Sequence, residues 1–314
     1  MPISNYPSGF ASGLTVRGLP LTQLHPGEVF WVNSTTVLPV GGTSPSDGNK
    51  GTYQQPFSTI TKALTACTAD RGDIIAVMPG YTENIATAAA EVWNVAGVAI
   101  VGLGTGSLRP KLSFTAAAAT HTITAANMSF HNIGWEANFA DVAIGLDVSA
   151  VDGLSFENCH FTEAGTDLNF VHVIDLATGA DDISFKGCTS IGNDASNDSF
   201  INGVAHDGFY MDDCTIMNNT AQTAAVGQVA TSGNATNVVI KDCRFRSNVD
   251  GALHIDLNGA ACSGFVSNCH FSSLDVAGAV AGAVDFTGGH VFNSLVSGEA
   301  DLSGITVHGP YVDA

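Results

Sequence analysis

An apolar residue, two mostly polar residues and a cysteine recur in one register through the second half of the chain. The five copies, each four residues long, are 156–159, 185–188, 211–214, 240–243 and 266–269. The cysteines of these copies are Cys159, Cys188, Cys214, Cys243 and Cys269. The intervals between successive cysteines alternate between a longer one and a slightly shorter one. Both intervals fall within the period of roughly 20–50 residues that is typical of solenoid proteins, in which each unit packs against the next. The pattern therefore predicts a stack of similar turns.

The repeat extends in both directions when the cysteine position accepts other apolar residues. Upstream, Ile133 precedes Cys159 by the shorter interval, and Leu103 precedes Ile133 by one residue more than the longer interval. Downstream, Leu295 follows Cys269 by the shorter interval. The whole series predicts eight turns, with the weakest matches in the two outermost ones.

Each turn is predicted to contain strands rather than helices. In most copies the cysteine position and the position two residues further on are apolar, which is the alternation of a strand with one buried face. The preceding residue is usually Gly, Asn or Asp, as at Asn132, Asn158 and Asn268. These residue types tolerate a positive φ, so they can turn the chain sharply at the same place in every coil, and stacked Asn and Asp side chains can hydrogen-bond between coils. We therefore expect an all-β solenoid with about three short strands per coil.

This arrangement resembles the right-handed parallel β-helix of the pectate-lyase-like superfamily, which contains pectate lyases, polygalacturonases and many phage tailspikes. In that family an asparagine corner followed by an inward apolar ladder recurs along the coil. The resemblance implies a β-helix over residues 73–305 and a short C-terminal tail at residues 306–314. With strands ~4.8 Å apart, about eight or nine coils would make a rod about 40 Å tall.

Residues 1–45 are predicted to form a separate N-terminal arm. Gly and Pro recur there every few residues with apolar side chains between them, which is too broken for a core and too apolar for a solvated linker. The arm either packs along its own β-helix or docks on a neighbouring subunit or another protein through main-chain pairing and apolar contacts. The residues expected to make these contacts are Tyr6, Phe10, Leu14, Val16, Arg17, Leu19 and Leu21.

Residues 46–72 are predicted to form a loop and a short helix that cap one end of the solenoid. Ser58 is expected to be the N-cap of this helix. The apolar residues that follow one another at helical spacing are Phe57, Ile60, Leu64 and Cys67. A stacked solenoid exposes an apolar end, so a terminal cap is needed for solubility.

The composition favours a rigid body with a large core and argues against some partners. Hydrophobic residues make up 45% of the chain and charged residues 12%, and 29 acidic against 10 basic residues give a net charge of −19. This charge argues against binding of nucleic acid through phosphates, which requires clustered Lys and Arg, and against anionic membrane surfaces. No apolar stretch approaches the length of a membrane helix.

The cysteines are predicted to be free and structural. Their number, seven, is odd, and five of them take one inward-facing position. Reduced cysteine behaves as a small buried hydrophobe, and disulfides between stacked coils are the alternative. No Cys-X-X-Cys pair indicates a zinc site, and the sequence predicts no cofactor.

A second ladder supplies the candidate catalytic residues. Asp147, Asp175, Asp256 and Asp285 each precede a cysteine position or its equivalent by a similar offset, so they are expected to share one outward-facing column. In glycosidases two carboxyl groups lie about 5–5.5 Å apart for retention, or about 6.5–9.5 Å apart for inversion, so spacing alone permits catalysis. The resemblance argues against it, because pectate lyases place an arginine base beside a calcium-binding aspartate cluster, and none of the five arginines accompanies this ladder. The alternatives are a bound cation and a solvated or subunit-facing role.

Two classes of function follow. Residues 30–33 (Phe-Trp-Val-Asn) resemble the opening of small β-helix virion proteins of tailed phages, particularly marine ones. The N-terminus lacks the basic and apolar pattern of a signal peptide, which fits a particle assembled inside a cell. These features predict a non-enzymatic homotrimer, assembled in the host cytoplasm, that decorates the phage head and binds the major capsid protein or another virion protein through its arm. The alternative is a tailspike whose β-helix binds or hydrolyses a host polysaccharide.

Overall fold

The chain forms a parallel β-helix built from three sheets. The computed structural model describes residues 14–16, 19–21, 27–35, 38, 40–88, 91–194, 199–219, 228–247, 254–257, 259–273, 284–297, 306–308 and 312–313. Within these residues the three sheets have 11, 10 and 8 strands, and neighbouring strands come from successive turns. The third sheet has eight strands, so eight turns of the coil carry all three. The predicted all-β parallel β-helix of the right-handed type is confirmed.

The strands of each sheet are short and pair in parallel. The first sheet contains Val29–Val32, Ile74–Val77, Ala99–Gly102, Ser129–His131, Ser155–Glu157, Ile183–Lys186, Phe209–Asp212, Val238–Lys241, Gly264–Ser267, Gly289–Phe292 and Thr306–His308. The second contains Thr82–Ile85, Lys111–Phe114, Gly134–Ala137, His160–Glu163, Thr189–Gly192, Thr215–Asn218, Arg244–Ser247, His270–Ser273, Leu295–Ser297 and Val312–Asp313. The third contains Glu91–Trp93, His121–Ile123, Val142–Val148, Phe170–Leu176, Ser199–Gly203, Val229–Thr231, Ile255–Leu257 and Val284–Phe286.

Two small sheets lie outside these three. Leu14–Val16 and Leu19–Leu21 form an antiparallel hairpin. His206–Asp207 and Ala235–Thr236 pair in parallel at a corner of the coil. A 3-10 turn spans Gly106–Leu108.

The chain turns from the first sheet into the second at residues with a positive φ. Asn132, Asn158 and Asn268 have φ values of 55°, 53° and 53°. The equivalent residues of three further turns share this conformation, and they are Gly187, Asp213 and Asp242. Asn, Asp and Gly enter this left-handed region at the lowest steric cost, so they allow each coil to bend at the same position.

The corner side chains bond along the stack only in some turns. Asn293 Nδ2 donates to Asn268 Oδ1 at 2.8 Å, and Asn268 Nδ2 donates to Asp242 Oδ1 at 3.2 Å. Asn132 instead donates to the carbonyl oxygens of Gly102 and Gly104, at 2.8 and 2.7 Å. The expected Asn ladder therefore exists near the C-terminal end and is replaced by contacts with a loop at Asn132.

The five cysteines of the repeat lie buried beside these corners. The Sγ atoms of Cys159 and Cys188 lie 3.4 and 3.3 Å from the carbonyl oxygens of Phe130 and Phe156, one turn earlier. All seven cysteines of the chain are free. Hydrogen bonding with Cys159 and Cys214, together with burial, raises the pKa of the Cys188 thiol, so the thiol form persists at neutral pH.

Aromatic rings stack in the interior at the spacing of the strands. The rings of Phe130 and Phe156 are 4.7 Å apart, and those of Phe156 and Phe185 are 4.9 Å apart. Trp135 and Phe161 stack at 5.0 Å in the second sheet. Parallel strands paired in register place like side chains over one another ~4.8 Å apart, and each such ring pair contributes about 0.5–1.5 kcal/mol beyond area burial.

Two predicted positions of the repeat are wrong. Gly134 pairs with Lys111, so Pro110 takes the place of the expected Leu103 in its turn. Leu103 packs instead with Ala76 and Val101 on the outer face of the first sheet. The reason is a loop of residues 103–109 inserted at this corner, which shifts the corner position downstream.

The last turn of the predicted series is shifted by one residue. Leu295 pairs with His270, one residue past the cysteine position, and is 39% exposed. Ser294 takes the inward position, and its Oγ accepts a hydrogen bond from the Cys269 backbone N–H at 3.3 Å. The repeat pattern predicts the corner of this turn at Ser294, directly before Leu295. The residue with the positive φ is Asn293, so the corner lies one residue earlier and the register shifts by one.

The capping helix spans Ile60–Ala66, and its N-cap is Thr59 rather than the predicted Ser58. The Oγ1 of Thr59 accepts from the Lys62 N–H at 3.1 Å, whereas Ser58 Oγ donates to Asp47 Oδ1 at 2.7 Å. The helix buries Ile60, Ala63 and Leu64 in the core, as a cap requires. Neither this helix nor any other in the described residues is long and apolar enough to cross a membrane.

The sheets extend past the boundaries expected for the β-helix. Val29–Val32, inside the expected arm, pairs in parallel with Ile74–Val77 and begins the first sheet. Thr306–His308 and Val312–Asp313, inside the expected tail, continue the first and second sheets.

Three of the described histidines are buried, and two of them, His121 and His254, are almost fully enclosed. The Trp135 Nε1–H donates to His121 Nδ1 at 3.2 Å, and the ring of Trp93 lies 3.7 Å from the His121 ring. The Nδ1 of His254 lies 2.9 Å from Gln228 Oε1. Burial lowers the pKa of His121 to about 3 and that of His254 to about 4, so both rings are neutral at pH 7.

The buried histidines predict a loss of stability in mild acid. The unfolded chain takes up a proton at His121 below its ordinary pKa of 6.5, and the folded chain does so only near pH 3. In this window the residue lowers the free energy of unfolding by about 1.4 kcal/mol for each pH unit of acidification. His121→Gln keeps an acceptor for Trp135, so its stability in urea titrations should fall less steeply than that of the wild type. The exposed His290→Gln is the control, and equal slopes for all three proteins would contradict a buried neutral His121.

The thiol column predicts that the native protein reacts slowly with thiol reagents. We expect almost no fast reaction with Ellman's reagent in buffer, because the repeat cysteines are buried and burial also raises the pKa of Cys67 to about 12. In denaturant all seven thiols should react. A smaller number in denaturant would reveal disulfides between coils.

Candidate functional site

The four aspartates that would be the catalytic candidates of an enzyme, here called the acid ladder, lie in one outer column of the third sheet. Asp147 pairs with Asp175, and Asp256 pairs with Asp285. Between the two pairs the column is occupied by Asn202 and Ala230. The acid ladder therefore consists of two separate carboxylate pairs.

The first pair has polar neighbours. Asn202 Nδ2 donates to Asp175 Oδ1 at 3.1 Å. His172 Nδ1 lies 3.0 Å from Ser199 Oγ on the same sheet. Burial raises the pKa of Asp175, and the charge of Asp147 adds to this effect. The Asn202 hydrogen bond and the charge of His172 act in the opposite direction and lower the pKa of Asp175.

The second pair repeats this electrostatic pattern. Burial raises the pKa of Asp256, and the charge of Asp285 raises it further. The Oδ1 of Asp256 is buried and has no hydrogen-bond partner among the described residues. In the described part of the chain no group of three or more His, Cys, Asp or Glu side chains is arranged to hold a metal ion. The column neighbours of the two pairs in the described residues are Thr122, Asn202 and Ala230, which carry no charge.

The outer face of the first sheet carries a row of alternating basic and acidic side chains that sequence reasoning missed. One outer column contains His131, Glu157, Lys186, Asp212 and Lys241 on five successive turns, and we call it the charge ladder. His131 Nε2 lies 3.2 Å from Glu157 Oε2, and Lys241 Nζ lies 3.2 Å from Asp212 Oδ2. The residues were visible in the sequence as the first polar residue of each repeat, where the sign alternates from copy to copy.

An aromatic ring lies beside the charge ladder. Tyr210 is in the neighbouring outer column, and its hydroxyl donates to Asp212 Oδ2 at 3.2 Å. Lys241 Nζ lies 5.4 Å from the Tyr210 ring centroid. A cleft of about 250 Å³ adjoins this ring, lined by Asp182, Ile183, Ser184, Gly208, Phe209, Tyr210, Asn237 and Val239. Hydrogen bonding to Tyr210 and Asp212 raises the pKa of Lys241, which keeps the amine charged.

A second cleft, here called the corner cleft, is lined by residues at the C-terminal ends of first-sheet strands, whereas the cleft beside Tyr210 is lined by residues at their N-terminal ends. The corner cleft has a volume of about 310 Å³, and it is lined by Gly102, Leu103, Gly104, Thr105, Arg109, His131, Asn132 and Asn158. The inserted loop 103–109 forms one wall, and the corner residues Asn132 and Asn158 form the other. The charge ladder thus runs between two clefts, and its first member, His131, lines one of them.

The residues expected to make contacts through the arm are only partly described. Leu14 pairs with Leu21, and Val16 pairs with Leu19, in the hairpin. Tyr6, Phe10 and Arg17 lie outside the described residues.

Comparison with solved structures shows similarity to polysaccharide lyases. A rhamnogalacturonan lyase superposes with a TM-score of 0.59 and 12% identity, covering 87% of this chain and 75% of that chain. The crystal structure of pectate lyase Pel9A superposes with a TM-score of 0.55 and 14% identity, covering 90% and 78%. At these identities the similarity establishes the β-helix fold and leaves activity to be argued from the site.

Comparison of the sequence with other sequences identifies a family. No curated protein matches the chain. Residues 43–263 match the model of the family DUF1565, which is described as a protein of unknown function. Because the match spans most of the 314 residues, the chain belongs to the DUF1565 family.

Proposed function

We propose that the protein binds a polysaccharide along the outer face of its first sheet. The observation that carries this proposal is the charge ladder, which places five ionisable side chains in one line with Tyr210 beside it. The line spans five successive turns, about 19 Å at the strand spacing of ~4.8 Å, which suits an extended polymer better than a small molecule. Similarity to two polysaccharide lyases supports a glycan as the polymer.

The groups on this face match the chemistry of sugars. Lysine and histidine N–H groups donate to ring and hydroxyl oxygens, and carboxylates accept from hydroxyl groups. The ring of Tyr210 offers an apolar surface for the C–H face of a sugar ring, and its hydroxyl group adds a polar contact. Because basic and acidic side chains alternate along the ladder, neither a neutral nor an acidic glycan chain meets a row of like charges on this face.

The acid ladder is a weaker candidate for the same ligand. Its neighbours in the column are Thr122, Asn202 and Ala230, which supply neither an aromatic ring nor a cation. Stacked carboxylates also repel one another, so binding there would depend on protonation or on a cation. We therefore place glycan binding on the first sheet and assign no catalytic step to the acid ladder.

Attachment to a phage particle is the second candidate function, and the N-terminal hairpin favours it. Leu14–Val16 and Leu19–Leu21 pair with each other and with no other described strand. Four of the residues in these strands are apolar and occur as cross-strand pairs, which suits docking on a partner. Under this proposal the protein is a trimeric head decoration protein, and the hairpin binds the major capsid protein.

Glycan binding is tested by removal of the aromatic ring. Tyr210→Ala should weaken binding in affinity electrophoresis with soluble acidic and neutral polysaccharides. A lost ring contact of about 0.5–1.5 kcal/mol corresponds to roughly a two- to tenfold weaker affinity. Phe139→Ala removes a ring that is 43% exposed away from the first sheet, and it should bind as the wild type does.

A further variant separates the two faces. The double variant Asp147→Asn and Asp175→Asn should retain glycan binding. If this double variant lost binding while Tyr210→Ala retained it, the glycan would lie on the third sheet. If the wild type cleaved the glycan and this double variant did not, the acid ladder would be catalytic.

Particle attachment is tested by deletion of residues 1–26. The deletion removes the hairpin and leaves the strand Val29–Val32 intact, so the thermal transition should be nearly unchanged. The truncated protein should no longer co-sediment with the phage particles, whereas the full-length protein should. Co-sedimentation at the wild-type level would contradict attachment through the arm.

A further inference from the structure

The corner cleft exists because one coil departs from the repeat. In the seven turns from Asn132 to Asn293 a residue with a positive φ carries the chain directly into the second sheet. Residues 103–109 form a loop at this corner instead, and residues 78–81 form a shorter one in the turn before. Asn132 holds the loop by donating to the Gly102 and Gly104 carbonyl oxygens at 2.8 and 2.7 Å. The resulting volume of about 310 Å³ is at the lower end of the size range of small-molecule sites, which is roughly 300–1,000 Å³.

Arg109 is a cation without a counter-charge in this cleft. Its Nε donates to Asn132 Oδ1 at 2.8 Å, and no described carboxylate lies within ion-pair distance of its guanidinium. Elsewhere in the described residues Arg71 pairs with Asp73, and Lys111 pairs with Glu136. In a protein with 29 acidic and 10 basic residues, an unpaired and half-buried arginine is unexpected.

The neighbours of Arg109 fix its position and add no negative charge. Asn132 Nδ2 donates two hydrogen bonds to the loop, and Asn132 Oδ1 accepts a hydrogen bond from Arg109 Nε. The contact with Oδ1 holds the guanidinium in one orientation. Thr105 and Asn158 also line the cleft, and neither side chain is ionisable. No acidic residue is among the residues that line the cleft.

The electrostatics of a nearby histidine agree with this arrangement. Burial, and secondarily the positive charge of Arg109, lower the pKa of His160 to about 4, so this imidazole is neutral at pH 7. Burial lowers the pKa of Arg109 itself, although an arginine remains charged at this pH. Arg109 therefore carries an uncompensated positive charge into a cleft next to the first member of the charge ladder.

We propose that the corner cleft is an anion subsite in which Arg109 binds the carboxylate or sulfate group of an acidic sugar unit. This inference rests on the proposed glycan function, and it specifies an acidic glycan as the ligand. The planar guanidinium presents N–H groups in a fork that matches the oxygens of such groups. Asn158 and Thr105 lie where they can reach the sugar hydroxyl groups, and His131 links the subsite to the charge ladder.

The subsite is tested with monosaccharides, which are too short to occupy the whole face. Titration calorimetry or ligand-observed NMR would compare glucuronate, glucose 6-sulfate and neutral glucose. We expect the wild type to bind at least one of the two anionic sugars at least tenfold more tightly than glucose, and the one that binds identifies the group. Binding should weaken as salt is added, because the interaction is between charges.

The variants assign the effect to Arg109. Arg109→Met should reduce binding of the anionic sugar to the level of glucose, and Arg109→Lys should restore only part of it. Arg244→Met is the matched control, because Arg244 is an exposed arginine in the outer column of the second sheet, and it should bind as the wild type does. Without ligand the thermal midpoint of Arg109→Met should fall only slightly, because the hydrogen bond from Nε to Asn132 Oδ1 is lost but no ion pair is.

The outcomes separate this inference from the function on which it rests. Equal affinity for glucose and both anionic sugars, or unchanged affinity in Arg109→Met, would overturn the anion subsite. If polysaccharide binding that depends on Tyr210 persisted in that case, the glycan function would stand without the subsite. If the anionic sugar bound through Arg109 and no polysaccharide bound, the glycan function would fail and the subsite would stand.

Discussion

In-register pairing of parallel strands is the constraint on which the rest of this structure depends. Each inward residue lies over the equivalent residue of the next turn, so phenylalanines stack on phenylalanines and thiols lie in one column. This is stable only if every coil bends at the same position, which the positive-φ residues provide. A slip of one residue would turn an inner column outward, as the turn near the C-terminus illustrates, where Leu295 lies on the outside and Ser294 on the inside.

The same constraint turns single outer positions into linear arrays. One polar residue per turn, repeated at the strand spacing of ~4.8 Å, becomes a row of charges or a row of carboxylates. On the first sheet basic and acidic side chains alternate and form ion pairs. On the third sheet burial, and then the neighbouring carboxylate, raises the pKa of one aspartate in each pair. Where the repeat is interrupted by the loop 103–109, a cleft opens and Arg109 is left without a counter-charge. The proposed functional features are therefore one regular array and the irregular corner beside it.

The similarity to polysaccharide lyases concerns the architecture, because identities of 12% and 14% do not carry residue roles. The acid ladder shows why the chain must be judged by its own side chains. Its members do share an outer column, but Asn202 and Ala230 divide them into two pairs without a neighbouring cation in that column. The charge ladder combines cations, carboxylates and an aromatic ring, and it therefore offers the broader chemistry for a glycan.

The sequence by itself determined the architecture and several columns, because these depend on local properties. The alternation of apolar residues defines the inner face of each strand. The corners are defined by the Asn, Asp or Gly that precedes the cysteine position. The similar distance of each aspartate from the next cysteine position predicts that the aspartates share one column. The alternating charges at the first polar position of the repeat were also readable in principle. Only the tertiary structure decided the register at Leu103 and Leu295, the N-cap at Thr59, and the unpaired charge of Arg109. The physical reason is that a loop conformation and the absence of a counter-charge depend on contacts between residues of different coils, a full turn of the solenoid apart in sequence, which no local pattern records.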